Sequence, residues 1–399
     1  MQQLDQELGE RLARLREAGL YRELRRVDSP QSPSLEIGGH TLLNFSSNDY
    51  LGLANEPALK AAAIEAIDRF GAGAGASRLI CGSLAPHHEL DEAAAAFKGA
   101  AAALSFSTGY AAALGTLCSL LGKDDVVVID KLVHACIVDA ARLSGAKIRV
   151  FAHNNLDDLE RILKWAATHS RRSPPAGCHT LVVTESVFSM DGDAAPLREL
   201  VVLKEKYGAW LMVDEAHATG LYGKKRRGLA EEHGISDRIE VQMGTLGKAI
   251  GASGGYICGS RTLIDFLINR ARTFIFSTAP APAAAAAATA GIQFVQSKAG
   301  EERRNLLWQR VAELPSTLNP QPSTCPSAIL PLIIGDETKA VATAAALREQ
   351  GIFIPAVRYP TVARGQARLR LTLTAAHSTE DVRTLAAALA RLQIVNRKS

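Results

Sequence analysis

Apolar positions recur along this chain with two different periods. Near the N-terminus Leu4, Leu8, Leu12 and Leu15 fall three or four residues apart among charges, which predicts an amphipathic helix ending around the basic cluster Arg22, Arg25 and Arg26. A proline- and serine-rich loop follows at 28–34. From there to about Thr278, short unbroken apolar runs alternate with helix-length segments: VVVID at 126–130, LVVTE at 181–185, WLMVD at 210–214, IEVQM at 239–243 and GYICG at 255–259. Continuous apolar runs bounded by polar turns mark strands covered on both faces, so an α/β domain with a mostly parallel sheet is expected. Beyond the alanine-rich stretch 278–292 the pattern changes to separated strands, AILPLII at 328–334 and RLRLTLT at 368–374, and a last helix from about Ser378 to Arg391. In RLRLTLT, Leu369, Leu371 and Leu373 alternate with Arg370, Thr372 and Thr374, as in a half-exposed strand. The expected division is an N-terminal helix and arm over 1–50, a large α/β domain over 51–291 and a smaller α+β C-terminal lobe over 292–399.

Composition narrows the function classes. With 399 residues, 47% hydrophobic content and a formal charge of +4, the chain is long enough for a deep site and lacks the positive surplus that grips nucleic acid. Its first 26 residues are charged throughout, without the apolar centre of a signal peptide, and 278–292 is too short and weakly apolar to span a bilayer. No membrane association and a cytoplasmic location are expected. The six cysteines, at 81, 118, 136, 178, 258 and 325, form no Cys-x-x-Cys pair, so neither a metal knuckle nor a disulfide framework is expected, only reduced, buried thiols.

Three segments carry chemistry. In Gly244-Thr-Leu-Gly-Lys248-Ala-Ile-Gly, a single lysine sits among glycines just past an expected strand. Partial desolvation there favours a neutral, nucleophilic amine, and a surface lysine in a flexible loop is the competing reading. A P-loop is excluded, because Gln242 and Ala249 stand where that motif needs glycine and Ser or Thr. In Asp214-Glu-Ala-His217, Asp214 ends a strand where open α/β sheets bind ligands, and His217 follows within reach. An ionised acid there can keep a pyridine nitrogen protonated while the imidazole meets a ring hydroxyl; a helix N-cap with a surface histidine is the alternative. Ser105 to Gly109 opens an expected helix with hydroxyl-bearing residues, suited to a phosphate or to an ordinary cap. The glycine-alanine run 71–76 matches a dinucleotide fingerprint only formally, since it follows a helical segment. His134, past VVVID, could stack on a flat ring or be structural. Arg358, Arg368 and Arg370 offer forks for a carboxylate, Arg370 the most suited by pattern.

Taken in order, NFSSNDYLGL at 44–53, SRLICGS at 77–83, VFSMDGD at 187–193, DEAHATG at 214–220, GTLGKAIG at 244–251 and PTVARGQARLRLTLTAAH at 360–377 resemble the α-oxoamine synthase family over nearly the whole chain. The resemblance implies an aminotransferase-like, fold type I transferase that uses pyridoxal 5'-phosphate and works as a homodimer with sites at the subunit interface. It implies that Lys248 carries the cofactor as a Schiff base, that His134 stacks on the ring, that Asp214 pairs with the ring nitrogen and His217 with the ring hydroxyl, and that Ser189 lies nearby. Gly109, Tyr110 and Thr245 would hold the cofactor, with Ser277 and Thr278 reaching the partner subunit's phosphate. Arg370 would bind the amino-acid carboxylate, joined by Arg358 during the cycle, while Arg22 and Thr361 would contact substrate. The implied reaction condenses L-alanine with pimeloyl-CoA or pimeloyl-[acyl carrier protein] and releases carbon dioxide. A branch using glycine and acetyl-CoA, and a catalytically inactive partner subunit of the same fold, are the alternatives.

Overall fold

In the computed structural model, residues 2–170, 178–315 and 325–392 are described. In chain order the strands are β1 Ser34–Ile37, β2 His40–Asn44, β3 Ala102–Phe106, β4 Val126–Asp130, β5 Lys147–Phe151, β6 Thr180–Glu185, β7 Trp210–Asp214, β8 Val241–Thr245, β9 Gly255–Gly259, β10 Ile329–Gly335, β11 Ile352–Phe353, β12 Ala356–Val357 and β13 Ala367–Thr372. The chain divides into two compact units, one of Leu51–Ser189 and Asp193–Arg304, the other of Met1–Tyr50, Met190–Gly192 and Asn305–Ser399.

The larger unit is built on a sheet of order β3-β9-β8-β7-β6-β4-β5. β9 runs antiparallel to β3 and β8, and the remaining neighbours are parallel. Every residue of β4 and β6 is buried, as their unbroken apolar runs require, and Val127, Ile129, Leu181, Val183 and Met212 share one core with Leu117 and Ile137 from the covering helices. IEVQM was expected to pair from Ile239, but the strand starts at Val241. Ile239 closes a short 3₁₀ turn, and the Glu240 carboxylate takes the Lys204 ammonium and the Leu211 N–H. β3 and β5 carry no clear apolar run. β3, AALSF, joins two small alanines to a leucine and a serine, and β5 is an edge strand whose Arg149 and Val150 are exposed. The parallel alignment brings the carboxyl ends of β4, β6, β7 and β8 to the same edge, with Glu185 directly opposite Asp214.

In the smaller unit β11 pairs in parallel with β2, so the first 50 residues fold with the C-terminal segment rather than as a separate arm. The division falls between Arg304 and Asn305, inside the helix Lys298–Ala312, instead of at residue 292. The first helix, Gln2–Glu17, stops before the arginine cluster, where Gly19 turns with a φ of 65° and Leu20 N–H returns to the Leu15 carbonyl at 2.8 Å. β13 is not half-exposed as its alternation suggests. It lies between β10 and β12, and all six residues are buried because each polar side chain has partners. Arg368 Nη1 donates to Asp191 Oδ1 at 2.7 Å, and Arg370 Nη1 to Asn48 Oδ1 at 2.9 Å and Thr372 Oγ1 at 3.0 Å. The cysteines also depart from the expectation of burial. Cys136 and Cys258 are buried, while Cys81 is exposed and Cys118, Cys178 and Cys325 are half-buried.

Two charged clusters stiffen the larger unit. Lys98 is fully buried and donates to the carboxylate of Glu215 and, at 2.5 Å, to the Arg227 carbonyl; the other Glu215 oxygen accepts the Ala230 N–H at 2.9 Å. His153 bridges Asp130 at 2.9 Å and Asp193 at 2.8 Å. Burial works against its charge, but the two carboxylates outweigh burial and raise its pKa to about 10.

Lys98→Met strands a buried carboxylate and is expected to cost about 3–5 kcal/mol in chemical denaturation, with part of the loss recovered when Glu215→Gln is added. A histidine pKa raised by folding stabilises fully below the unfolded value of about 6.5, and that stability is lost as pH climbs through the folded value. The thermal midpoint difference between the wild type and His153→Gln should therefore be largest near pH 6 and shrink toward pH 10.

Candidate active site

Four parallel strands end at one edge of the large sheet, and the residues just beyond them form the site. Asp214 ends β7, buried, and its Oδ1 accepts the Ala216 N–H at 2.9 Å in a tight turn rather than at a helix cap. That turn carries His217 inward, where it is buried and not a surface histidine. Lys248 follows β8 through the turn at Gly247, and its Nζ lies 2.9 Å from His217 Nε2. The lysine is half-buried.

His134 caps the helix Ala135–Ser144, accepting the Cys136 N–H at Nδ1 over 3.2 Å, and the Cys136 sulfur lies 3.0 Å from the same nitrogen. A ring nitrogen that accepts a backbone N–H has its lone pair engaged, so the neutral imidazole carries its proton on Nε2. Desolvation lowers the His134 pKa and favours that neutral form, although the residue as a whole is exposed. Its own N–H donates to Glu185 Oε1 at 2.5 Å. Glu185 also accepts the Ser189 N–H, at Oε2 over 3.3 Å. Both buried carboxylates titrate above the ordinary range. Desolvation dominates in each, Asp214 adds to it at Glu185, and the Lys248 charge opposes it in both.

A second feature is the close approach of backbone at Gly109. This residue opens the helix Gly109–Leu120, which Thr108 caps by accepting the Ala111 N–H at 3.0 Å. A Cβ at Gly109 would lie 2.6 Å from the Thr245 methyl, and one at Gly255 would lie 2.6 Å from the Gly109 Cα. Two glycines are needed for β8 and β9 to meet a helix N-terminus this closely. Thr245 Oγ1 is buried there with no hydrogen-bond partner among the described residues. Tyr110, the next residue, is exposed and donates its hydroxyl to Asp139 at 2.6 Å. Ser277 and Thr278 lie in the loop after the helix Arg272–Ile275, half-buried and exposed respectively.

These features fit pyridoxal phosphate. A helix N-terminus with an orphaned threonine hydroxyl offers donors to a phosphate. Two buried carboxylates pushed toward protonation favour a cationic ring nitrogen beside them. An amine held against an imidazole suits carbonyl capture. Among the described residues there is no cluster of three or more His, Cys, Asp or Glu side chains arranged to hold a metal.

The expected substrate residues belong to the smaller unit. Arg370 is 8% exposed and, besides Asn48 and Thr372, donates to the Tyr50 hydroxyl at 3.3 Å. Arg358 Nη1 donates to the Gly19 carbonyl and Nη2 to that of Tyr21 at 3.2 Å, which ties the segment after the first helix in place. Arg22 donates to the Tyr359 carbonyl at 2.9 Å, and the Thr361 N–H to the Arg358 carbonyl at 3.0 Å, so these three residues gather at one loop. Burial, with the charges of Arg22 and Arg25, lowers the Arg358 pKa.

Glu185 and Cys136 were missed by the sequence reading. Glu185 ends LVVTE as Asp214 ends WLMVD, and the rule that singled out one acid at a strand's carboxyl end applies equally to the other. Cys136 gives no such signal, because its contact depends on the cap geometry of His134.

Residues 40–389 match the aminotransferase class I and II family. A relative described as 8-amino-7-oxononanoate synthase in Anaeromyxobacter sp. (strain K) is 47% identical over 386 residues, covering 96% of this chain and 94% of the relative. One of the same description in Geotalea daltonii is 45% identical and covers 97% and 98%. Among solved structures, serine palmitoyltransferase from S. paucimobilis superposes with a TM-score of 0.88 at 30% identity, covering 98% of both chains. The 8-amino-7-oxononanoate synthase of Francisella tularensis gives 0.73 at 27% identity, covering 88% of this chain and 98% of its own. Likeness of this extent, together with the lysine, aspartate and histidines at the strand ends, means that the chain belongs to the aminotransferase class I and II family, within its α-oxoamine synthase branch.

Proposed function

We propose that this protein is a pyridoxal-phosphate acyltransferase of biotin biosynthesis that condenses L-alanine with a pimeloyl thioester, releasing carbon dioxide and the thiol and forming 8-amino-7-oxononanoate. The observation that carries the reading is Lys248 Nζ at 2.9 Å from His217 Nε2, on a loop adjoining the buried Asp214. Relatives of 45–47% identity over nearly the full chain bear the name of this reaction. Bound pyridoxal phosphate supplies an electrophilic carbon for amine capture and a conjugated electron sink.

The residues divide the remaining work. Gly109 and Tyr110 in the first turn of their helix, with Thr245 at the end of β8, would hold the phosphate end, and Ser277 and Thr278 would serve the phosphate of the partner subunit in a homodimer. Asp214 keeps a proton at the ring nitrogen, and the His217 imidazole meets the ring hydroxyl while Ser189 flanks it. His134 would stack on the ring and offer Nε2–H to substrate. Arg370 takes the alanine carboxylate; Arg22, Thr361 and Arg358 contact substrate. Lys248, once replaced by the alanine amine, accepts the α-proton, and it donates a proton to the product carbon after carbon dioxide leaves. One base thus serves both the deprotonation and the reprotonation. The acyl donor is pimeloyl-CoA or pimeloyl-[acyl carrier protein], and the enzyme acts in the cytoplasm; among the described residues no helix is long and apolar enough to cross a membrane.

Lys248→Ala is expected to abolish turnover and the visible absorbance of bound cofactor. In the wild type, L-alanine should perturb that absorbance saturably, and a pimeloyl thioester should then give 8-amino-7-oxononanoate by mass spectrometry. Turnover with glycine and acetyl-CoA in preference would place the chain on the other branch, and a wild-type protein that takes up no cofactor would overturn the reading. Asp214→Asn, which keeps the shape and removes the charge, should lower kcat by at least about 100-fold, read by initial rates at saturating alanine.

A further inference from the structure

We infer that Glu185 is a positioning residue of this site, a buried side chain that ties the His134 loop and the Ser189 loop to the end of β6 beside Asp214. The inference rests on the cofactor reading above. Glu185 is 2% exposed and stands opposite Asp214 in the β6–β7 register. Its two oxygens accept separate backbone N–H groups, Oε1 from His134 at 2.5 Å and Oε2 from Ser189 at 3.3 Å. These donors come from different connections, one after β4 and one after β6, and each belongs to a residue assigned to the cofactor. A carboxylate that merely capped its own loop would reach Ser189 alone. Glu185 reaches 51 residues back to His134 as well, so one side chain sets the spacing between two walls of the site.

Accepting at both oxygens suits the ionised form. Burial and the Asp214 charge press toward protonation, and a cationic ring nitrogen paired with Asp214 relieves the part due to Asp214. The groups facing Glu185 are Asp214 on β7, Lys248 after β8, the Cys136 thiol in the helix after β4, and the two N–H donors. With His134 held by its main chain to Glu185 and by its ring to Cys136, the imidazole has little freedom to tilt. Preorganisation of this kind affects the reacting geometry more than substrate capture.

Glu185→Gln is the test. The amide keeps the volume but offers one acceptor, and its NH₂ group meets an N–H donor where the second oxygen stood. The expected result is a cofactor-loaded protein whose kcat falls about 10- to 100-fold with KM for L-alanine changed by less than about 3-fold. The pH midpoint of its visible band should shift downward by about one unit, because a removed anion no longer favours the protonated form. Glu185→Asp, which keeps the charge on a shorter arm, should restore the band midpoint but only part of kcat. Should Glu185→Gln fail to fold, Glu185→Asp and the wild type alone decide: a kcat equal to wild type would overturn the inference. An unchanged kcat and band midpoint in Glu185→Gln, with only a lowered unfolding midpoint of the cofactor-free protein, would reduce Glu185 to a structural cap and also overturn it. If the wild type binds cofactor and responds to alanine in the same experiments, that failure belongs to Glu185 alone; if it does not, the cofactor reading has failed first.

Discussion

Two carboxylates, Glu185 and Asp214, are buried opposite each other at the ends of adjacent parallel strands, and the arrangement of the larger unit follows from making that tolerable. An isolated buried charge is costly, so each must be paired, hydrogen-bonded or protonated. Here Glu185 draws in backbone N–H groups from two loops, Asp214 draws in that of Ala216, and Lys248 contributes the nearby positive charge. A cationic ligand group in the same place would complete the balance, which is why a protonated pyridine suits this edge of the sheet. The next residue, Glu215, is settled in another way, by a buried lysine, so neighbouring acids in one short segment are stabilised by different means.

Parallel topology does the assembling. With β4, β6, β7 and β8 aligned, the four connections that leave their carboxyl ends emerge together, although His134 and Lys248 are 114 positions apart. The antiparallel β9 then returns Gly255 against Gly109, and the absence of two side chains lets strand ends approach a helix N-terminus. A phosphate placed there would meet free amides and the positive end of the helix dipole. The smaller unit shows the complementary solution for arginine: Arg368 and Arg370 remain buried on β13 because Asp191, Asn48, Thr372 and Tyr50 are placed to receive them.

Much of this was legible in the sequence, and the reasons for the rest are physical. Apolar runs such as VVVID and WLMVD located β4 and β7 because strands buried on both faces admit little else, and the acid at the end of WLMVD marked the site. The same logic missed β3 and β5, where alanines and an exposed edge remove the run. It misjudged β13, since alternation of leucine with arginine and threonine reads as one wet face unless the partners of the polar side chains are known. It also placed a boundary at 292 and set the first 50 residues apart, because pairing of β2 with β11 is a contact between segments some 300 positions apart that no local pattern encodes.

The sequence by itself determined the α/β class, the lysine in its glycine-rich turn, the aspartate and histidine of the DEAH segment and the family they point to, because local apolar periodicity and motif spacing are properties of contiguous residues. Only the tertiary structure decided that Glu185 faces Asp214, that Cys136 fixes which nitrogen of His134 carries its proton, that Arg358 holds the N-terminal segment and that Thr245 keeps a hydroxyl unpaired beside Gly109. Each of those depends on which distant backbone group lies within about 3 Å, a distance that is set when strands pair and helices pack.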